Sequence, residues 1–173
     1  MSEVRYAMRG LNALSDEQLR EHQWRLLQNQ IKYCLSNSKY YSKRFKELGI
    51  EVGDIKNLDD FMKLPALMGK EQERLAQIES MERYGHPFST YLCAKPEEVA
   101  VTATTSGTTG DPTFTYTLTK QDLAHLNESV SLMLGHAGVL PGERVLFAHA
   151  LGIYATSALL PPLRNSGVLP IDV

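Results

Sequence analysis

The residues best suited to chemistry form one short run, 104–110, which holds five hydroxyl side chains and two glycines. Glycine lets the backbone turn so that successive N–H groups face one anion, and serine and threonine add hydroxyl donors. The run carries no charge and no bulky side chain, so a chain of phosphates could lie against it. This composition favours phosphate binding, but a plain hydroxyl-rich turn between strands has the same composition.

Two common phosphate-binding patterns are absent from the sequence. The run lacks the GxxxxGK[ST] of a Walker A loop, and Gly107 and Gly110 alone do not make the GxGxxG of a dinucleotide fold. What the run does have is a fixed order, Thr-Ser-Gly-Thr-Thr-Gly-x-Pro over 105–112. Eight ordered positions are a far more specific signal than composition.

Helices are predicted for the first half of the chain. Ser15 and Gln18 form a capping box before a helix whose apolar stripe ends near Asn37. The stripe comprises Leu19, Leu26, Leu27, Ile31, Cys34 and Leu35. Three further helices are predicted, one from about Tyr40 to Leu48 that ends at Gly49, a short one capped by Asn57 and stopped by Pro65, and one from about Lys70 to Met81.

The second half predicts strands around the hydroxyl-rich loop. Apolar residues alternate over 99–103 and again over 114–118, which indicates a hairpin joined by the loop. Thr119 and Asp122 then cap a helix whose predicted buried side is Leu123, Leu126, Val130, Met133, Leu134 and Ala137. A turn at Pro141-Gly142 precedes a strand over 145–148, a helix over about 154–165 that Pro161-Pro162 should bend, and a strand over 168–173.

Together these elements predict an α/β fold. N-terminal helices are followed by a β-hairpin and the start of a parallel βαβ sheet. We expect a helical region over 1–95 and an α/β region over 96–173, both belonging to one incomplete domain that continues beyond Val173.

Composition excludes several function classes. The chain has 173 residues, 43% of them hydrophobic, and a net charge of −2, which gives no electrostatic reason to expect nucleic-acid binding. No apolar run is long enough to span a bilayer, and the N-terminus lacks the pattern of a secretory signal. Cys34 and Cys93 form no metal-binding spacing, so no metal site is predicted, and reduced thiols in a cytoplasmic protein are expected.

The ordered loop at 105–112 resembles the signature loop of the adenylate-forming superfamily of acyl-CoA synthetases. Many members have a lysine after the proline, where this chain has Thr113; the phenylacetate–CoA ligase branch is similar in lacking it. Similarity to that branch extends upstream to 39–50 and 55–65, and downstream to 120–123. The resemblance covers the chain from about Leu19 onward, as the N-terminal part of such an enzyme.

The resemblance implies an activity and a set of ligands. Members join a carboxylic acid to CoA through an acyl-adenylate, using ATP, Mg²⁺ and CoA. By this similarity the ATP phosphates are held by Thr105, Ser106, Gly107, Thr108, Thr109 and Gly110. Ile153 and Tyr154 are candidates for the acyl pocket, although an ordinary strand-to-helix turn with a buried tyrosine explains them equally well.

The same resemblance places the catalytic residues beyond Val173. We therefore expect this chain to be unable to complete the reaction alone. We also expect a second chain, or a second copy in a homo-oligomer, to cover the face where the sheet stops. Two alternatives stay open: an adenylating enzyme with an acceptor other than CoA, and a non-catalytic binding or assembly module that retains the loop.

Overall fold

The computed structural model describes residues 14–105, 114–148 and 158–172. The described residues form two compact units that divide between Pro96 and Glu97. We call residues 14–96 the helical unit and the described residues from Glu97 onward the α/β unit.

The helical unit begins with the predicted capping box. Ser15 Oγ accepts a hydrogen bond from the backbone N–H of Gln18 at 3.3 Å, and Gln18 Oε1 accepts one from the N–H of Ser15 at 2.9 Å. Helix α1, Asp16–Asn37, follows. It ends where predicted, and the N–H of Ser38 closes its last turn on the carbonyl of Cys34 at 2.9 Å.

Three more helices complete this unit, together with a 3₁₀ turn at Val52–Asp54. They are α2 (Lys39–Glu47), α3 (Leu58–Met62) and α4 (Lys70–Tyr84). The prediction that Gly49 ends α2 is confirmed. Gly49 has a φ of 64°, and the N–H of Ile50 donates to the carbonyl of Phe45 at 2.9 Å. Helix α4 runs to Tyr84 rather than Met81, because the left-handed residue that ends it is Gly85 (φ 72°).

The core of the helical unit is small. Ile31, Phe45 and Ile55 are buried, and partly buried side chains from Trp24 to Leu67 pack on them. Two predictions for α1 overestimated the burial of a side chain. Leu26, assigned to the apolar stripe, is 53% exposed, and Cys34, assigned to the core, is only half-buried. Helix α1 packs on the short helices α2 and α3, which cover only the side that carries Ile31.

The α/β unit opens with the predicted hairpin. Strands β1 (Val99–Thr104) and β2 (Thr115–Thr119) pair antiparallel, with a register irregularity between Val99 and Val101. Helix α5 (Lys120–His136) follows β2 directly, and its predicted cap is confirmed because Thr119 Oγ1 accepts from the N–H of Asp122 at 3.2 Å.

The predicted strand–helix–strand unit is also confirmed. Strands β3 (Arg144–Phe147) and β4 (Leu169–Asp172) are parallel, and helix α6 (Leu160–Asn165) lies between them in sequence. The two prolines, expected to bend a longer helix, lie in the first turn of α6, where a missing N–H costs nothing. The core consists of Val130, Leu134, Phe147, Leu163 and Val168.

Two side chains assigned to the buried side of α5 are exposed, Met133 and Ala137. Helix α5 has its closest contacts with α6 and the hairpin strands, which bury the side bearing Val130 and Leu134. Within the described part of the chain, no helix has the length and apolar character needed to cross a bilayer.

Candidate phosphate-binding site

The hairpin brings the two ends of the predicted phosphate loop together. Thr104 is paired with Thr115 in the strand register, and the backbone N–H of Thr105 donates to the carbonyl of Phe114 at 3.1 Å. Thr104 Oγ1 donates to the carbonyl of Thr105 at 3.3 Å, and both threonines are half-buried. The strands therefore hold the start of the loop through backbone and side-chain hydrogen bonds.

Of the six predicted phosphate-binding residues, the structure describes Thr105. Ser106, Gly107, Thr108, Thr109 and Gly110 lie outside the described residues, as does Thr113. The assignment of phosphate binding to these residues thus stays a prediction, supported by the described hairpin that they connect.

Helix α5 does not add its N-terminus to the loop end of the hairpin. Thr119, the cap of α5, pairs with Val99, whereas the loop begins beside Thr104. Four residue steps of β2 separate Thr119 from Thr115, roughly 13 Å of extended chain. The carboxylate of Asp122 already accepts from both the N–H and the Oγ1 of Thr119 at 2.8 Å. The cap of α5 is therefore already hydrogen-bonded and lies away from the start of the loop.

The acyl-pocket candidates, Ile153 and Tyr154, also lie outside the described residues. The flanking elements are described. Strand β3 ends at the buried Phe147, and residues 149–157 connect it to α6. In open α/β sheets, ligands bind at the carboxyl ends of parallel strands. Ile153 and Tyr154 follow such an end, which keeps them candidates.

Titratable groups with shifted pKa values belong to the helical unit, not to the described parts of the hairpin. Burial raises the pKa of Tyr41 to about 12, with smaller contributions from Cys34 and Cys93. Burial and the neighbouring Cys34 thiol likewise raise the pKa of Cys93 to about 12. The described residues contain no group of three or more His, Cys, Asp or Glu side chains that could hold a metal ion.

Sequence comparison finds several named relatives. Phenylacetate–coenzyme A ligases from Thermus thermophilus and Pseudomonas putida are each 28% identical over 144 residues, and the Escherichia coli enzyme of the same name is 25% identical. Each match covers 83% of this chain and 30% of the relative. The chain thus spans about a third of the length of the curated relatives it matches. No protein-family model matches it.

Solved structures with the same fold include a 2-hydroxyisobutyryl-CoA ligase. Its complex with the acyl-adenylate of 2-hydroxyisobutyrate, in the postadenylation state, has a TM-score of 0.78 at 19% identity, covering 91% of this chain and 32% of that one. An open conformation holding the acyl-adenylate and CoA has a TM-score of 0.79 at 18% identity, covering 92% and 33%.

The chain resembles the N-terminal part of a phenylacetate–CoA ligase. The similarity predicted from the loop is therefore confirmed. The predicted fold class is confirmed too, since the helices, the hairpin and the parallel strand pair match a ligase that forms an acyl-adenylate. The phenylacetate–CoA ligases that it resembles are about three times as long.

Proposed function

We propose that this chain is the phosphate-holding and acyl-binding part of an AMP-forming acid–CoA ligase that acts on an aryl acid, as its phenylacetate-named relatives suggest. The observation that carries the proposal is the ordered loop at 105–112, which connects a hairpin closed by the Thr105–Phe114 hydrogen bond. ATP, Mg²⁺ and CoA are the proposed ligands besides the acid.

The proposed reaction has two steps. A carboxylate oxygen attacks the α-phosphorus of ATP, and the bond to the bridging oxygen breaks so that pyrophosphate leaves. The CoA sulfur, having lost its proton, then attacks the acyl carbon, and the bond to AMP breaks. Adenylation is needed because a free carboxylate is a poor acylating agent.

The proposed role of this chain in the first step is to hold the β- and γ-phosphates. Ser106, Thr108 and Thr109 would donate hydroxyl hydrogen bonds, and Gly107 and Gly110 would contribute backbone N–H groups. Thr105, whose N–H bonds to Phe114, would contribute its hydroxyl. Positioning and charge stabilisation supply most of the catalysis in phosphoryl transfer. Ile153 and Tyr154 would pack against the acyl group, and we assign no Mg²⁺ ligand within the described residues.

A polyphosphate titration tests the loop. Inorganic tripolyphosphate needs no adenosine pocket, so its binding to the 173-residue chain isolates the contacts to phosphate. We expect saturable shifts of the Thr105 and Phe114 amide signals in nitrogen–proton NMR spectra. Thr108→Val should weaken binding about tenfold, because a hydrogen bond to a charged group is lost.

Thr102→Val is the matched control. Thr102 is an exposed threonine on β1 of the same hairpin, and it pairs with Thr117 away from the loop. This variant should bind like the parent. Equal losses in the two variants, or no saturable binding by the parent, would overturn the assignment of the loop.

The need for further protein is tested by turnover. We expect no exchange of pyrophosphate into ATP by the chain alone with aryl acids. Robust exchange would show that it catalyses adenylation unaided, contrary to this part of the proposal.

A further inference from the structure

A groove in the helical unit has the size of a small-molecule site. Its volume is about 960 Å³, at the upper end of the range usual for ligand pockets. All of its lining residues lie between Asn37 and Pro96, and they come from the end of α1, from α2 and α4, and from the segment after α4. None of these lining residues belongs to the loop at 105–112.

Ser89 lines this groove in an unusual conformation. Its φ is +70°, the one positive φ of a non-glycine residue within the described ranges. The residue is 2% exposed, and its Oγ has no hydrogen-bond partner there. The buried Oγ1 of the next residue, Thr90, is also unpartnered. Two adjacent hydroxyls are thus buried at the groove without a described partner.

The surrounding fold fixes this backbone in place. The N–H of Thr90 donates to the carbonyl of Ala76 on α4 at 3.1 Å, and Ser38 Oγ donates to the carbonyl of Thr90 at 3.3 Å. The N–H of Leu92 donates to the carbonyl of Ser89 at 3.3 Å. Strained residues persist only where neighbours determine their conformation, and they concentrate at ligand sites.

The charges around the groove favour an anion. Four cationic residues line it, Lys39, Lys43, Arg44 and Arg83, against the two carboxylates of Glu47 and Glu79. Glu47 is shared by Lys43 at 3.6 Å and Arg44 at 3.3 Å, and Glu79 pairs with Arg83 at 3.0 Å. The lining thus has two more positive than negative charges, although the whole chain has a net charge of −2.

Three aromatic side chains line the groove, Tyr40, Tyr84 and His86. The ring of Tyr40 makes edge contacts with Tyr41 and Tyr91, with centroids 5.5 and 6.2 Å apart, and its hydroxyl donates to the carbonyl of Leu67 at 3.1 Å. The rings of Tyr84 and His86 are stacked, with centroids 5.8 Å apart. Fixed rings of this kind suit a ligand with an apolar body.

We propose that this groove is a second small-molecule site, which binds an organic anion: a carboxylate or phosphate ester that carries an aromatic or alkyl body. The anionic group lies at the cationic rim near Lys43 and Arg83. The apolar body packs against the rings of Tyr40 and Tyr84, and the Ser89 hydroxyl pairs with a polar atom of the ligand.

Titration of the 173-residue chain with phenylacetate, phenyl phosphate and the uncharged benzyl alcohol tests this site. In nitrogen–proton NMR spectra, at least one anion should shift the amide signals of Ser89, Thr90 and Leu92 saturably, and benzyl alcohol should not. Phenylacetate and phenyl phosphate distinguish a carboxylate from a phosphate ligand. Signals near Thr105 report the loop, so the two sites are read separately.

Lys43→Gln and Lys63→Gln provide a matched pair of variants. The side chains of Lys43 and Lys63 are 78% and 75% exposed, and each forms an ion pair with a carboxylate three or four residues away. Of the two lysines, Lys43 lines the groove and Lys63 does not. Lys43→Gln should weaken anion binding about three- to tenfold, and Lys63→Gln should leave it unchanged. Equal losses, or saturation only at amides outside the groove, would overturn the proposal.

Ser89→Gly tests the strained residue. Glycine adopts positive φ without strain, so the variant should be at least as resistant to heat as the parent while binding the anion more weakly. Unchanged affinity would show that the Ser89 hydroxyl takes no part. An absence of saturable binding by either anion to the parent chain would reject the site altogether.

Discussion

The helical unit and the α/β unit bury different chemistry. The helical unit buries three serines, Ser38, Ser80 and Ser89, alongside a core of three apolar side chains. The α/β unit packs five apolar side chains together, and its buried polar side chain, Ser166, donates to the carbonyls of Pro162 and Leu163 within 2.9 Å. Buried hydroxyl groups are thus more prominent in the first unit, which also holds the buried Tyr41 and Cys93 with raised pKa values, and apolar packing is more prominent in the second.

The parallel strand pair in the α/β unit has two unequal faces. Phe147 points to the core, whereas Leu146, Leu169 and Ile171 are exposed on the other face. Parallel sheets usually have both faces covered. The expectation from the sequence that a second chain or copy covers the sheet applies to this exposed face. That expectation stays a prediction.

The largest expected effect contrasts neighbouring residues on β3. Phe147 is 6% exposed and Leu146 65%. Phe147→Ala should lower the free energy of unfolding by about 3–5 kcal/mol, because it leaves a cavity in the core. Leu146→Ala should change it by less than about 0.5 kcal/mol. Urea unfolding followed by far-ultraviolet circular dichroism measures both. A comparable loss in Leu146→Ala would mean that the outer face is covered in solution.

A smaller effect contrasts two glycines that end helices of the α/β unit. Gly138 follows α5 with a φ of 81°, and Gly167 follows α6 with a φ of 76°. A Cβ added to Gly167 would lie 3.0 Å from the Cβ of Pro141. A Cβ added to Gly138 would meet nothing within 4 Å. In each Ala variant the free energy of unfolding should fall by about 1–2 kcal/mol, because alanine is strained in the left-handed conformation.

The clash with Pro141 should add about 1 kcal/mol or more to the loss in Gly167→Ala. The same urea experiment gives the difference between the two variants. Equal losses would mean that the turn at Pro141 moves aside freely, and that packing between the two turns contributes little to the unit.

Caps and turn residues explain why so much of the fold could be predicted from sequence. Their interactions join residues that are close in the chain, so they can be predicted from the local sequence. Examples are the pairs Ser15–Gln18 and Thr119–Asp122, and the turn at Gly49. Leu26 could not be placed correctly, because its exposure depends on how much of α1 the short helices α2 and α3 cover.

The two candidate sites also differ in how far they could be predicted from the sequence. The phosphate loop is a contiguous, ordered run, so its residues could be proposed from the sequence, and its strand context was confirmed at Thr105 and Phe114. The groove could not be proposed from the sequence. It depends on Thr90, the neighbour of Ser89, whose N–H bonds to the carbonyl of Ala76 and whose carbonyl accepts from Ser38 Oγ. Both partners are distant from Thr90 in the chain.

The smallest effect concerns the pH dependence of the helical unit. Burial raises the pKa of Cys93 from 9.0, and that of Tyr41 from 10.0, to about 12 each. Both groups are neutral when protonated, and the folded chain keeps these protons to higher pH than the unfolded chain. Their stabilising contribution is therefore complete below pH 9 and decreases as pH rises from 9 towards 12.

Trp24, the single tryptophan of the chain, lies in the helical unit beside its core and reports on that unit selectively. The urea midpoint of its fluorescence should be constant from pH 7 to 8.5 and fall between pH 9 and 11. Tyr41→Phe should make the fall above pH 10 shallower, because one of the two titrating groups is removed. A midpoint independent of pH up to 11 would mean that neither group is shielded from water in the folded unit, and the contrast in buried chemistry would then rest on the buried serines alone.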